Sequence, residues 1–384
     1  MSRLFYMPPT ILSGSGSLAA SGDQICLGKK ALVVTGKVVA KQECTKTLLQ
    51  LLSDRGVDYE VFTDIPGEPT DRMVQAGVEA YQAARCDFMI ALGGGSPMDV
   101  MKAVAVRLKY PTRSLSSFMG QVIPGPFVPM VAIPTTAGTG SEATMFTVIT
   151  DTATDVKMLL KGPGLIPDVA VVDPACSVSA PPSVTASTGL DALTHAVESY
   201  TSKLAQPLTD TLAVSAVKRI MVNLPRACRD GGDLEARSQM ALAALEAGVC
   251  ITNASVTIVH GMSRPIGALF HVPHGLSNAM LLPDCLEFAL EGALKRFADL
   301  GRATGVAGPC QEDGAAARAF LTSVRELCAI CQVPTLEEYG VDRDAFFEQI
   351  PKMSADAVAS GSPGNTVRTV TEADCANIYR SLWH

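Results

Sequence analysis

A strand-like run, DFMIAL (87–92), passes directly into Gly93, Gly94, Gly95, Ser96, Pro97, Met98 and Asp99, and a helical stretch (VMKAVAVRL) follows. No other feature of the chain narrows its fold so far. Consecutive glycines let the backbone turn tightly and admit a ligand where a Cβ would block it. Ser96 is placed to cap the helix, with Pro97 at its first position and Asp99 three residues after the cap. Free N–H groups and the positive end of the helix dipole then face whatever lies above the glycines, and a pyrophosphate suits them.

This strand–loop–helix unit is one of a series. Apolar, β-branched runs at 31–34, 59–62 and 88–92 alternate with helical stretches at 41–55 and 71–84, and a further run at 128–133 ends in PTTAGTGSE. Such alternation predicts parallel βαβ units, and two Gly-rich turns after strands predict a dinucleotide crevice. GSGSLA (14–19) matches GxGxxA in letters but follows Pro8 and Pro9 rather than a well-formed strand, and no acidic residue ends a second strand at the usual distance, so it is not read as the fingerprint. Beyond the pair Pro181 and Pro182, Ala/Leu-rich helical segments take over, at 191–201, 208–221, 235–268 and 286–303. The expectation is a Rossmann-like α/β domain over 1–180 with a parallel sheet, and an all-α domain over 181–384. No fixed-period repeat or low-complexity tract interrupts either.

The 31 basic and 38 acidic residues give a net charge of −7, which leaves no basic footprint for nucleic acid. No uninterrupted run of apolar residues reaches membrane-spanning length, and residues 1–13 lack the apolar stretch of a signal peptide. Eleven cysteines, an odd number without framework spacing, suit free thiols in a reducing compartment; Cys328 and Cys331 read as two helix thiols one turn apart. A cytoplasmic protein acting on small molecules is the expectation.

Histidine is scarce, with five in the chain. In GLDALTHAVESY, Asp191 and His195 are four apart, which sets them side by side on one helical face. In HGMSRPIGALFHVPHG, His260 ends a helical run, and His271 and His274 follow around Pro273. One carboxylate with imidazoles makes a site for a borderline divalent ion such as Fe(II) or Zn(II), with a position open to a substrate oxygen. His384 reads as solvated.

Taken together, GGGSPMD (93–99), PTTAGTGSE (134–142), GLDALTHAVESY (189–200) and HGMSRPIGALFHVPHG (260–275) resemble the iron-containing, or group III, alcohol dehydrogenase family over essentially the whole chain. The resemblance implies catalysis in a cleft between a dinucleotide-binding domain and a helical one, and homodimers or larger assemblies. It implies that Asp191, His195, His260 and His274 bind Fe(II), or sometimes Zn(II). Gly94, Gly95, Ser96 and Asp99 would hold the phosphates of NAD or NADP, and Thr135, Thr136, Thr139 and Lys157 would line its ribose or nicotinamide side. Two departures stand out. Where several relatives carry a proton-relaying histidine, this chain has Arg264, a fixed cation and a poor proton acceptor; the relay is then absent, replaced by water or taken over by His271, while Arg264 forms a structural salt bridge or clamps a substrate anion. Where many NAD-preferring relatives carry an Asp after the first strand, this chain has Gly36 and then Lys37, which removes a like-charge penalty against NADP. The implied reaction is hydride transfer between a primary alcohol (simple alcohol, diol or ω-hydroxy acid) and the nicotinamide. The rivals are a metal-dependent lyase resembling dehydroquinate synthase, with transient use of NAD, and a non-catalytic nucleotide-binding protein.

Overall fold

The computed structural model describes residues 2–154 and 156–383; His384 lies outside them. The chain divides into two compact units, Met1–Ala180 and Pro181–His384.

The first unit holds β1 (Thr10–Ser13), β2 (Lys30–Thr35), β3 (Asp58–Phe62), β4 (Phe88–Gly93), β5 (Met130–Pro134), β6 (Phe146–Asp151), β7 (Val156–Lys161) and β8 (Val169–Val172). Six of them form one parallel sheet in the order β1-β8-β5-β4-β2-β3, and β6 and β7 pair as a separate antiparallel hairpin. The helices are α1 (Ser17–Ala20), α2 (Gly22–Ile25), α3 (Glu43–Asp54), α4 (Asp71–Ala84) and α5 (Gly95–Lys109). Both faces of the sheet are covered, which is why its central strands are continuous apolar runs. Leu32, Val34, Met89 and Ala91 pack with Val74, Val78 and Val104 on one face. Ala31, Val33, Phe88 and Ile90 pack with Leu48 and Leu52 on the other.

Two local expectations change here. The glycines at 14–16 do follow a strand, because β1 pairs in parallel with β8 at the sheet edge. The helix after them is four residues long, and Asp173 Oδ2 already accepts from Leu18 N at 3.0 Å. In the main glycine loop the cap of α5 is Gly94 rather than Ser96, which lies inside the first turn.

The second unit is helical, with α6 (Pro182–Tyr200), α7 (Pro207–Arg229), α8 (Leu234–Ala254), α9 (Ile258–Phe270), α10 (His274–Thr304), α11 (Asp313–Ile330), α12 (Leu336–Tyr339), α13 (Arg343–Ala359) and α14 (Glu372–Ser381). The segment read as one helix over 235–268 is two. Ser255 adopts φ 60°, α8 stops at Ala254, and α9 leaves at 102° to it. Glycines permit two close approaches: a Cβ on Gly189 would lie 2.3 Å from Leu224 Cδ1, and one on Gly275 would lie 2.8 Å from Ser187 O. The second contact lets the start of α10 reach α6 beside Asp191.

Candidate active site

In the second unit, Asp191 and His195 leave one face of α6, His260 comes from the first turn of α9, and His274 opens α10. Asp191 Oδ1 lies 3.9 Å from His195 Nε2, 3.6 Å from His260 Nε2 and 3.9 Å from His274 Nε2. Tetrahedral coordination at about 2.1 Å sets neighbouring donor atoms roughly 3.4 Å apart, so the spacing fits a cation. Asp191, His195 and His260 form the metal-capable group among the described residues, and all three are buried. The His274 side chain keeps 43% of its surface exposed. The His195 and His260 rings stack with centroids 4.6 Å apart. Burial opposes ionisation of Asp191, yet His195, His260 and His274 hold its carboxyl well below the usual carboxylate range.

Two further residues complete the cluster. Glu198, fully buried on α6, accepts from His260 Nδ1 at 2.6 Å, Thr257 Oγ1 at 2.8 Å and Val259 N at 2.7 Å. The sharp break between α8 and α9 is what turns these donors toward it. With Nδ1 engaged, His260 presents Nε2 to the cluster, the carboxylate–histidine arrangement that orients metal ligands. Burial works against the charged imidazole, but Glu198 and Asp191 raise His260 to about 9. An ion held at Nε2 would displace a proton there. Asn278, also fully buried, aims Nδ2 at Asp191 Oδ1 (2.7 Å), His260 Nε2 (3.2 Å) and His274 Nε2 (3.2 Å). Its Oδ1 has no partner among the described residues. Sequence reasoning passed over both residues, although Glu198 is three positions after His195 and Asn278 four after His274, each on its ligand's face.

His271 stands apart from the cluster. It caps the end of α9 at φ 55° with an exposed side chain, and its carbonyl accepts from Tyr339 Oη at 3.5 Å. Arg264 follows His260 by one turn and is half-buried, without the salt bridge considered for it among the described residues.

In the first unit, the register of β4 on β5 sets Gly93 beside Pro134, and Thr135 N donates to Gly93 O at 2.9 Å. The two glycine-bearing turns therefore run side by side at the carboxyl ends of adjacent parallel strands, where open sheets of this kind bind nucleotides. A Cβ on Gly94 would lie 3.4 Å from Thr136 Oγ1, and one on Gly95 3.2 Å from Thr139 Cγ2. Ser96 stays partly exposed beside them. Asp99 faces elsewhere: Oδ2 accepts from Val148 N at 3.1 Å and Oδ1 from Ser141 Oγ at 3.2 Å, so both oxygens tie α5 to later chain. Lys157 pairs with Glu68 at 2.7 Å. Gly36 lies in the open, with Ile65 O 3.9 Å from where a Cβ would sit, and Lys37 forms a loose exposed pair with Asp64 at 3.9 Å.

Lys102 was not singled out by its sequence context and proves to be the hub of these loops. It has no exposed surface, and its Nζ donates to Ser141 O (2.7 Å), Thr144 O (2.8 Å), Thr144 Oγ1 (2.9 Å), Phe146 O (3.0 Å) and Ser141 Oγ (3.2 Å). Burial lowers its ammonium to about 8 against the pull of Asp99 and Glu142.

Comparison with known proteins decides what these two sites belong to. The profile described as "Iron-containing alcohol dehydrogenase" matches residues 8–174, and that described as "Fe-containing alcohol dehydrogenase family, C-terminal" matches residues 185–383. The chain belongs to the iron-containing alcohol dehydrogenase family. It is 37% identical over 380 residues to "Probable alcohol dehydrogenase EutG" of Salmonella typhimurium, covering 98% of this chain and 94% of that one. It is 34% identical to the NADPH-dependent butanol dehydrogenase of Clostridium saccharobutylicum, over 99% of this chain and 98% of that one. A crystal structure of 1,3-propanediol oxidoreductase superimposes with a TM-score of 0.94 at 33% identity over the whole of both chains. As a member of this family the chain is an NAD(P)-dependent oxidoreductase of the alcohol dehydrogenase type, and Asp191, His195 and His260 are the residues placed to hold a metal. Membership sets the lyase and non-catalytic readings aside. No single helix among the described residues is long and apolar enough to cross a membrane.

Proposed function

We propose that this chain is an Fe(II)-dependent dehydrogenase that interconverts short primary alcohols and aldehydes with NAD or NADP, acting as a homo-oligomer in the cytoplasm. The observation that carries the reading is Asp191 Oδ1 lying within 3.9 Å of three imidazole nitrogens. His274 serves as the fourth ligand, and Zn(II) is the competing ion because it accepts the same donors. A divalent ion held there supplies a Lewis acid that polarises the oxygen of an alcohol or carbonyl, and the nicotinamide supplies the hydride acceptor or donor. The chain's own residues do the rest. Gly94 and Gly95 bring backbone N–H groups to the pyrophosphate, while Thr135, Thr136 and Thr139 line the neighbouring turn. Glu198 keeps the proton of His260 on Nδ1, so that Nε2 is left as a donor atom. Because Arg264 is no proton acceptor near neutral pH and His271 stands apart from the cluster, the alcohol proton leaves through water.

The butanol and 1,3-propanediol enzymes reported above indicate short alcohols as the substrate class. Gly36 places no carboxylate where a 2′-phosphate would sit, which supports use of NADP beside NAD. The test is metal-stripped protein reloaded separately with Fe(II) and Zn(II) and followed by reduced-nicotinamide absorbance on alcohols and aldehydes. Turnover that requires an ion and is abolished by Asp191→Ala and His260→Ala, with nucleotide binding retained, is the expected result. Activity within a few-fold of wild type in either variant would overturn the assignment.

A further inference from the structure

Arginines that leave water are normally paired, because a buried cation without an anion is costly. Four arginines of the second unit follow this pattern: Arg219 pairs with Glu246, Arg296 with Asp210, Arg302 with Asp313 and Arg368 with Glu291, while the more deeply buried Arg237 donates to Gly231 O and Thr185 Oγ1. Arg264 departs from it. The residue is half-buried and has no hydrogen bond or ion pair with any described residue. The acidic groups of the cluster have other partners: Asp191 faces Asn278 and the imidazoles, and Glu198 holds His260, Thr257 and Val259 N. Glu198 favours the Arg264 charge and Arg264 disfavours charge on His274, in keeping with its place one turn along α9 from His260.

Helix geometry fixes where that charge acts. Arg264 and His260 are four apart and leave one face of α9, with about 6 Å of rise between them. Side chains lean toward the helix N-terminus, so the Arg264 stem carries its guanidinium back toward the level of His260. Resting on the dehydrogenase reading above, we infer that Arg264 binds an anionic group at the far end of the substrate, making the substrate class short aldehydes and alcohols that carry a carboxylate, sulfonate or phosphate. The reacting carbon and the anion are separated by about one to three further carbons, since the guanidinium returns to within one turn of the cluster. All three anions offer the paired oxygens that a guanidinium fork grips bidentately, and a neutral alcohol offers none.

The experiment compares kcat/KM of the ion-loaded enzyme for butanal with that for 4-oxobutanoate, 2-oxoethanesulfonate and glycolaldehyde phosphate, in wild type, Arg264→Met and Arg264→Lys. Wild type is expected to favour at least one anionic aldehyde over butanal by about tenfold or more, a gap of about 1.4 kcal/mol, and the favoured anion identifies the headgroup. Arg264→Met reduces that ratio to near one, mainly through KM, and Arg264→Lys restores part of it. Equilibrium binding of unreactive butyrate, ethanesulfonate or inorganic phosphate, measured by calorimetry, weakens in Arg264→Met in parallel. Equal use of neutral and anionic aldehydes by wild type, or equal loss of both in Arg264→Met, overturns the inference. If no aldehyde turns over with any ion or nucleotide, the dehydrogenase reading fails. The calorimetric arm then still decides Arg264, because anion binding that is the same in wild type and Arg264→Met removes its role.

Discussion

Lys102→Met removes a charge with no exposed surface and leaves five oxygen acceptors without their shared donor. Leaving buried acceptors without their charged donor, beside two acids that lose a compensating charge, costs about 3–5 kcal/mol. For a unit of this size each kcal/mol lowers Tm by about 2–4 °C, so the first unit should melt roughly 6–20 °C lower. The loss should also depend on pH. Burial raises Asp99 to about 6 and Glu142 to about 7, above their ordinary values of 3.8 and 4.5. An acid raised on folding disfavours the native state fully above its folded value, and the penalty shrinks as pH falls from the folded toward the unfolded value, below which it is gone. Without the Lys102 ammonium both acids rise further, so the variant should lose less stability near pH 5 than near pH 8. Differential scanning fluorimetry of nucleotide-free protein at the two pH values measures both effects, and a urea titration checks the free energy. A Tm within about 2 °C of wild type, or a larger loss at the acidic end, would refute the account of Lys102 as the cation that binds α5 to residues 141–146.

Glu198→Gln should weaken metal affinity by about 10–100-fold, because an amide cannot accept from all three donors while keeping His260 in its tautomer; competition with a chromogenic chelator measures this, and unchanged affinity sinks the role. Gly36→Asp should cut kcat/KM with NADP about 10–100-fold relative to NAD, since the added carboxylate meets a 2′-phosphate and the site has room for a side chain; equal effects on both nucleotides would show that Gly36 does not face that group.

Most of the architecture was legible because it rests on short-range signals. Central strands 31–34 and 88–92 are apolar runs bounded by turns, and the helical stretch 71–84 is α4, whose first turn Thr70 caps by accepting from Met73 N. The metal ligands were legible because helical spacing makes Asp191 and His195 neighbours before any tertiary contact is known. Other features depend on partners distant in sequence. Strand β1 is only four residues long and exists because β8, over 150 residues later, accepts it. The break at 255–257 follows no Pro or Gly; it is fixed by packing and by the Glu198 bonds, so an Ala/Val-rich text reads through it. Asp99 looked like a phosphate ligand from its place in the loop, but its partners at Ser141 and Val148 come from chain that the local pattern does not describe. Lys102 was hidden for the same reason: in sequence it is one cation on a helix.

All four ligand candidates lie within Asp191–His274, and the last of them opens a helix that runs on to Thr304. During synthesis from the N-terminus, Gly94, Gly95 and the threonine turn have long left the ribosome when His274 emerges. Nascent chains stalled before that point should retain nucleotide but hold a divalent ion only weakly, and ion capture belongs to the last third of translation.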